Sequence, residues 1–460
     1  MYRLMRWLIR LALGFYFRRI EKFHADRVPL TGPLLFTSNH PNSLTDSFLL
    51  GASVTRKVNF VATVALFRFR PVKWILMRCG VIPINRAKDD ARAMRTVADA
   101  FEACFRVLEA GEAIGIFPEG ITYDDSQLKE VKSGAARMAL ELEHRHGGKL
   151  GLRIVPVGLT YSAKEAYRSD ALINFGEPLL AADFLEGYEE GRKDCIRKLT
   201  AEIEARLQSL IVHLPKLEQA RLIEGVKRLY LGRLRVGNRV VHEPITPGAE
   251  HLLLTQRIIE AVERVCREQP ERAAAFGAKL AYYERWLGRL RIPDNYLALF
   301  TEKGKLTGQT LAWAAVAVAG APVALYGWLH RLIPFALVRW AAGRFTEPGK
   351  HKAQSSTTSI LAGTVAFGFF YGGCVLLFHK LFGWPASLWY GLSLPVTSLF
   401  AHYYLRDLKR LLNSLRNALV LVRAPMATKR LLALRAELIA QIEAVRAERE
   451  REPASIGAAS

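Results

Sequence analysis

Residues 38–46 read Ser-Asn-His-Pro-Asn-Ser-Leu-Thr-Asp and follow the apolar run Leu34-Leu35-Phe36. A histidine with an aspartate a turn or two later, at the end of a buried strand, is the minimum set of groups for deprotonating a hydroxyl. The His40 imidazole takes the proton. The Asp46 carboxylate fixes the ring's tautomer and supports the imidazolium that forms. Such a pair recurs by chance, so three further segments carry the weight. Gly80-Val-Ile-Pro-Ile-Asn-Arg86 is a short β-branched strand ending on an arginine. The donor fork of Arg86 suits a phosphate held at the carboxyl end of a strand, where α/β ligand crevices lie. Ile114-Gly-Ile-Phe-Pro-Glu-Gly120 is a strand that breaks at Pro118 and presents Glu119 on a turn that Gly120 permits. Leu152-Arg-Ile-Val-Pro-Val-Gly-Leu-Thr160 is another buried strand, with a proline inside it.

Taken in order, Asn-His-(x)5-Asp, Gly-(x)5-Arg, Phe-Pro-Glu-Gly and Val-Pro-Val-Gly resemble the glycerolipid acyltransferase superfamily, which esterifies glycerol phosphates and lysophospholipids. The resemblance covers roughly residues 14–180. It implies that His40 is the general base and Asp46 its orienting partner. It further implies that Arg86 binds the acceptor's phosphate, that Glu119 with Gly120 contacts glycerol hydroxyls, and that Pro156 shapes the last block. Two departures matter. Five residues separate His40 from Asp46, where the commonest spacing of the family is four. The longer spacing resembles the branch with fungal glycerol-3-phosphate and dihydroxyacetone-phosphate acyltransferases. In addition, Ile121-Thr122 stand where many relatives carry Thr-Arg, and Lys132 and Arg137 are the expected substitutes for that missing cation.

The chemistry constrains the mechanism. Acyl transfer from a thioester needs an activated hydroxyl and an oxyanion stabiliser, for which a backbone N–H at a strand end or helix start suffices. The chain has no Gly-x-Ser-x-Gly elbow, and no Cys–His pair placed for covalent catalysis, so direct transfer is expected. No cofactor or metal is implied. The co-substrate is a thioester of coenzyme A or of acyl carrier protein, and the acceptor is glycerol 3-phosphate or lysophosphatidate. A catalytically idle, lipid-binding scaffold is the competing reading, although such a protein needs none of His40, Asp46, Arg86 and Glu119 together.

A net charge of +22 over 460 residues implies an anionic partner. Nucleic-acid signatures are lacking and apolar segments sit among the basic ones, which points to a phospholipid membrane rather than to nucleic acid. The five cysteines are too scattered for a disulfide framework or a metal site.

The elements that must position these residues follow from periodicity. Strands are expected at 34–39, 58–63, 81–84, 114–118, 154–161 and 172–176, with helices over 89–111 and 133–146. The fold class is α/β: a layered acyltransferase domain with a mixed sheet flanked by helices, then a helical region and C-terminal membrane helices. The expected divisions are 1–25, an interfacial amphipathic helix with Arg3, Arg6 and Arg10 among Trp7 and leucines; 26–184, the catalytic domain; and 185–305, a charged helical region. Residues 306–404 form a membrane region, re-entrant or interfacial at 311–334 and spanning at 359–377 and 384–404, and 405–460 form a basic helical tail broken at Pro425. By the positive-inside rule the basic linker 335–357 and the tail face the cytoplasm. The expected location is therefore an integral membrane protein with its catalytic domain on that side.

Overall fold

The computed structural model describes residues 1–84, 93–120, 128–164, 166–212, 219–237, 247–294, 296–297, 307–345 and 351–451. They divide into two compact units. The first comprises Met1–His213, Ile245–Leu252 and Leu337–Val365, and the second Leu214–Pro244, Leu253–Ala336 and Ala366–Ser460.

The first unit is built on one mixed sheet. Its strands are β1 (Arg19–Phe23), β2 (Leu34–Ser38), β3 (Val58–Thr63), β4 (Ile82–Ile84), β5 (Ala113–Ile116), β6 (Arg153–Tyr161), β7 (Asp170–Phe175) and β8 (Leu179–Leu180). They lie in the order β1-β7-β6-β2-β5-β3-β4, and β8 pairs with β6 beside β7. Strand β2 is central. All five of its residues are buried, and it pairs in parallel with β5 on one side and β6 on the other. A strand buried on both faces reads as a continuous apolar run, which is what Leu34-Leu35-Phe36 is. Successive side chains leave opposite faces. Leu35 enters the cluster formed with Phe105, Leu108, Leu140 and Leu199, whereas Leu34 and Phe36 enter the one formed with Leu13, Leu49 and Phe175.

Helices cover both faces. Helix α1 (Tyr2–Tyr16) and helix α2 (Leu44–Ser53) pack together on one. Helix α3 (Arg70–Arg78) follows β3, and its residues are all at least partly exposed. Helices α4 (Ala93–Glu109), α5 (Gly134–Arg145) and α6 (Tyr188–Leu210) supply the other cluster. Cys195, Leu199, Ile203 and Leu207 form a buried i, i+4 stripe on α6. The α/β unit therefore runs past the boundary expected at residue 184. Gly158 makes that packing possible, because a Cβ there would lie 2.5 Å from the carbonyl oxygen of Leu210. Pro156, which has no N–H to give, falls between the stretches of β6 that pair with β8 and with β7.

The N-terminal helix ends at Tyr16, and Arg19–Phe23, within the expected 1–25 helix, is a strand paired in parallel with β7. Helix α1 buries Leu13 and leaves Leu4, Trp7, Leu8, Leu11 and Phe15 exposed.

The remaining chain is helical: α7 (Ala220–Gly237), α8 (Pro247–Glu268), α9 (Pro270–Leu290), α10 (Thr307–Phe345), α11 (His351–Arg423) and α12 (Pro425–Arg451). Val318–Phe345 and Ser355–Arg423 are long and apolar enough to cross a membrane, with large apolar side chains exposed along both. Helix α10 continues through Pro322 and Pro334, so residues 311–334 do not turn back on themselves. Helix α11 breaks at Gly383, where φ is +77°. Phe378 stacks on Tyr390 across that break at 4.4 Å, a contact that a straight helix rising 1.5 Å per residue forbids. In the second unit α10 packs on the last part of α11. His330 Nε2 lies 3.0 Å from the Tyr390 hydroxyl, and a Cβ on Gly327 would sit 2.0 Å from the Thr397 carbonyl oxygen. The terminal α12 is anchored by Arg435 on the buried Asp294 at 3.0 Å, an oxygen that Tyr283 also contacts.

The central strand sets the first unit's stability. Replacing Leu35, which is fully buried, with Ala should cost about 2–5 kcal/mol. A drop in the thermal unfolding midpoint of the purified protein measures it, and an unchanged midpoint would contradict the central placing of β2.

Candidate functional site

Strand β2 delivers the site. Just past its carboxyl end the chain makes a tight turn through Ser43, which takes a left-handed φ of +53° before α2 begins. The turn brings His40 and Asp46 face to face, with His40 Nδ1 2.9 Å from Asp46 Oδ2. Asp46 is fully buried and the His40 ring is 18% exposed. An ionised carboxylate accepts, so Nδ1 carries the ring proton and Nε2 is left as the proton acceptor.

A buried carboxylate needs partners on both oxygens. Besides His40, Oδ2 accepts the backbone N–H of Asn42 at 2.7 Å, and Oδ1 accepts the Tyr161 hydroxyl at 2.7 Å. Burial pushes the Tyr161 phenol well above its ordinary range, and the neighbouring Asp46 pushes it further, so Tyr161 stays protonated and donates. Asn39 fixes the start of the turn by clasping the backbone of Leu159, donating at 3.0 Å and accepting at 2.7 Å.

Phe117 stacks on the His40 ring at 4.1 Å and 17°, and Phe60 lies parallel to Phe117 at 6.2 Å. Gly115 makes room for Phe60, since a Cβ there would fall 2.5 Å from its ring. The Gly in Ile114-Gly-Ile116 thus carries a message about the histidine two strands' worth of packing away.

Glu119 is buried, and both its oxygens are engaged by backbone. Oε1 accepts the N–H of His40 at 2.9 Å and Oε2 that of Lys129 at 3.2 Å. Burial raises the Glu119 carboxyl, and the two N–H groups work against that rise. Glu119 therefore ties the turn after β5 to the turn after β2. Gly120 adopts φ +69°, and a Cβ on it would lie 2.8 Å from Lys132 Nζ, so the Lys132 ammonium sits directly over this turn. Arg137 is on α5, where its guanidinium covers the Phe101 ring at 4.8 Å. Arg86 lies outside the described residues.

The structure thus assembles His40, Asp46 and Glu119, with Gly120 and Lys132 adjoining them. Sequence reasoning passed over Tyr161 and Phe117 as site residues. Both stood in recognised blocks: Phe117 precedes Pro118-Glu119, and Tyr161 ends the Val-Pro-Val-Gly strand.

The fold holds a histidine–carboxylate pair of the kind acyl transfer needs, and comparison with known proteins shows what this region is similar to. Residues 19–160 match the family model described as Acyltransferase. An uncharacterized acyltransferase of Schizosaccharomyces pombe is 23% identical over 310 residues, 49% of this chain and 46% of that protein. Glycerol-3-phosphate O-acyltransferase 1 of Saccharomyces cerevisiae is 31% identical over 134 residues, 28% of this chain and 18% of the yeast protein. A 1-acyl-sn-glycerol-3-phosphate acyltransferase of Borreliella burgdorferi is 26% identical over 194 residues, 41% of this chain and 72% of that enzyme. The chain spans less than half the length of the first two relatives. It carries a glycerolipid acyltransferase domain, distantly homologous to the yeast and bacterial enzymes.

The raised Glu119 carboxyl fixes a sign. In the folded state it holds its proton above the ordinary value of 4.5, so stability from this group is present at low pH and lost as pH climbs through the folded value. Glu119→Gln should remove that limb. The gap in unfolding midpoint between wild type and variant should shrink as pH rises from 4.5, and a widening gap would contradict the burial.

Proposed function

We propose that this protein transfers a fatty acyl group from an acyl thioester to glycerol 3-phosphate at a phospholipid membrane. The observation that carries the reading is the His40–Asp46 pair at the carboxyl end of β2, with Nε2 as the available base. His40 Nε2 removes the acceptor hydroxyl's proton as its oxygen attacks the thioester carbonyl carbon. The tetrahedral oxyanion collapses, the C–S bond breaks, and the imidazolium returns the proton to the departing thiolate. Asp46 remains ionised throughout and supports the imidazolium charge. Lys132, over the Gly120 turn, is the cation best placed for the acceptor's phosphate, with Arg86 as its partner from the Gly-(x)5-Arg block. Glu119 acts by holding the two turns together, and through them the hydroxyl-binding edge. Arg137 is less suited to the phosphate, given its seat on Phe101.

The yeast relative named as a glycerol-3-phosphate O-acyltransferase supports glycerol 3-phosphate as acceptor. Lysophosphatidate is the second reading. It is favoured by the Borreliella burgdorferi relative, which this chain matches over most of that enzyme's length. Either acceptor offers one phosphate and a neighbouring hydroxyl. Coenzyme A and acyl carrier protein thioesters offer the same reacting carbonyl. The complete dyad, with every oxygen of Asp46 satisfied, argues against an idle lipid scaffold.

Purified protein in detergent, assayed against both acceptors and both donors, tests this directly. Acylation of glycerol 3-phosphate is the expected result. His40→Ala should lower kcat by about 100-fold or more while leaving the unfolding midpoint in place, and Asp46→Asn should lower it nearly as far. Near-normal turnover in His40→Ala would sink the mechanism.

The membrane reading rests on the two long apolar helices. We place the catalytic domain on the cytoplasmic face, where acyl thioesters and glycerol phosphates are dissolved, with the basic linker 335–357 and the tail after Leu405 on that same face of the membrane. The fold-back at Gly383 then marks the far side. Cysteines introduced one at a time into a Cys-free background, then exposed to an impermeant thiol reagent in intact cells, check the arrangement. Position 382 should label, and positions 350 and 410 should not. External labelling at 350 or 410 would mean that α10 crosses as well, or that one part of α11 does not.

A further inference from the structure

The turn that carries the dyad is held from a distant part of the chain. Ser356 and Thr357, at the beginning of the apolar run of α11, are inserted against Asn42 and Thr45 within the first unit. Thr357 Oγ1 accepts the backbone N–H of Thr45 at 3.1 Å and lies 2.8 Å from the Thr45 hydroxyl. The Ser356 hydroxyl donates to Asn42 Oδ1 and lies 3.3 Å from Thr45 Oγ1. Ile360, one turn further on, is buried in the cluster of Leu49, Leu50 and Phe36. Asn42, Thr45, Asp46 and Ser356 are fully buried, and Thr357 is nearly so.

The contact falls where support is needed. Ser43 holds a left-handed backbone without being glycine, a conformation that persists only when its surroundings over-determine it. Asn42 and Thr45 flank it. Asn42 gives its N–H to Asp46 Oδ2, and Thr45 immediately precedes Asp46 in the chain. A shift of either residue is passed straight to the carboxylate that orients His40. The Thr45 N–H is shared between the Asn42 carbonyl at 3.2 Å and Thr357 Oγ1, so the hydroxyl adds a second acceptor to the turn's own bond.

We propose that Ser356 and Thr357 are positioning residues for the His40–Asp46 pair, coupling the start of the membrane-directed helix to the catalytic turn. They touch neither the acceptor nor the thioester. Their effect is on how well the dyad is aligned, and so on kcat. This rests on the acyl-transfer reading for its kinetic test, while the contact itself can be checked without any activity.

The test has two arms. In the kinetic arm, Ser356→Ala with Thr357→Val should lower kcat by about 10- to 100-fold, in line with the cost of displacing a catalytic group by around an ångström. KM for acceptor and donor should stay within about twofold, since no ground-state contact is lost. Thr357→Ser, which keeps the hydroxyl, should restore most of the rate. Thr364→Val, two turns along the same helix and bonded only to the Ile360 carbonyl among the described contacts, should leave the rate unchanged. An unchanged kcat in the double variant, a loss carried by KM, or no rescue by Thr357→Ser would each overturn the proposal.

In the structural arm, Thr45→Cys with Thr357→Cys in a Cys-free background, in native membranes, should form an intramolecular disulfide under mild oxidation. A Thr45→Cys, Thr364→Cys pair should not. Failure of the first pair to cross-link overturns the docking even where the double variant above is too unstable to assay. If the wild type acylated no acceptor while the cross-link formed, the acyl-transfer reading would fall and the docking would stand.

Discussion

The turn after β2 is arranged around one fully buried carboxylate. The Asp46 carboxylate has left water entirely, and an unpaired carboxylate in that position would either take up a proton or destabilise the fold. The protein answers with three donors from two pieces of chain: the His40 ring and the Asn42 N–H from the turn after β2, and the Tyr161 hydroxyl from β6. Because β2 and β6 are parallel, hydrogen-bonded neighbours, the residues at their carboxyl ends meet at one end of the sheet. The sheet is thus what makes the carboxylate tolerable, and the carboxylate is what orients the His40 ring.

The same logic explains the aromatic packing. A ring that is to serve as the proposed base has to keep one orientation through both protonation states. Asp46 fixes the ring at Nδ1, and Phe117 fixes its plane from the side. Phe117 in turn is set by β5 and by Phe60, whose ring occupies the space that Gly115 leaves open. Substituting that glycine would therefore be felt at the base without touching it.

The parts legible in the sequence were those encoded by contiguous patterns. Strands β2, β3, β5, β6 and β7 announce themselves as β-branched or apolar runs, and the ordered motifs on their ends locate His40, Asp46 and Glu119. What stayed hidden was encoded by distance. Strand β1 carries three charges in five residues, Arg19, Glu21 and Lys22, with only Glu21 buried, and becomes a strand because β7 is there to pair with it. Helix α6 shares its charged character with the helices after it, and only its buried stripe assigns it to the sheet. Tyr161 is an ordinary strand residue until Asp46 arrives opposite, and Ser356-Thr357 look like polar residues before an apolar segment. No local signal distinguishes a hydroxyl that will meet water from one that will meet the catalytic turn.

That last contact has a consequence for the order in which the protein is made. A ribosome releases residues 1–213 well before residues 356 and 357, and the intervening chain includes much of the helical unit. Domains generally fold as their residues emerge. The sheet can therefore form while the turn at Ser43 still lacks the hydroxyls that pack on it, leaving a nascent chain with its sheet in place and the His40–Asp46 turn unfinished. Completion waits for Ser356 and Thr357 at the start of α11. By then the apolar run Val318–Phe345 has already been made, so the His40–Asp46 turn is closed late, by residues that follow it in the chain.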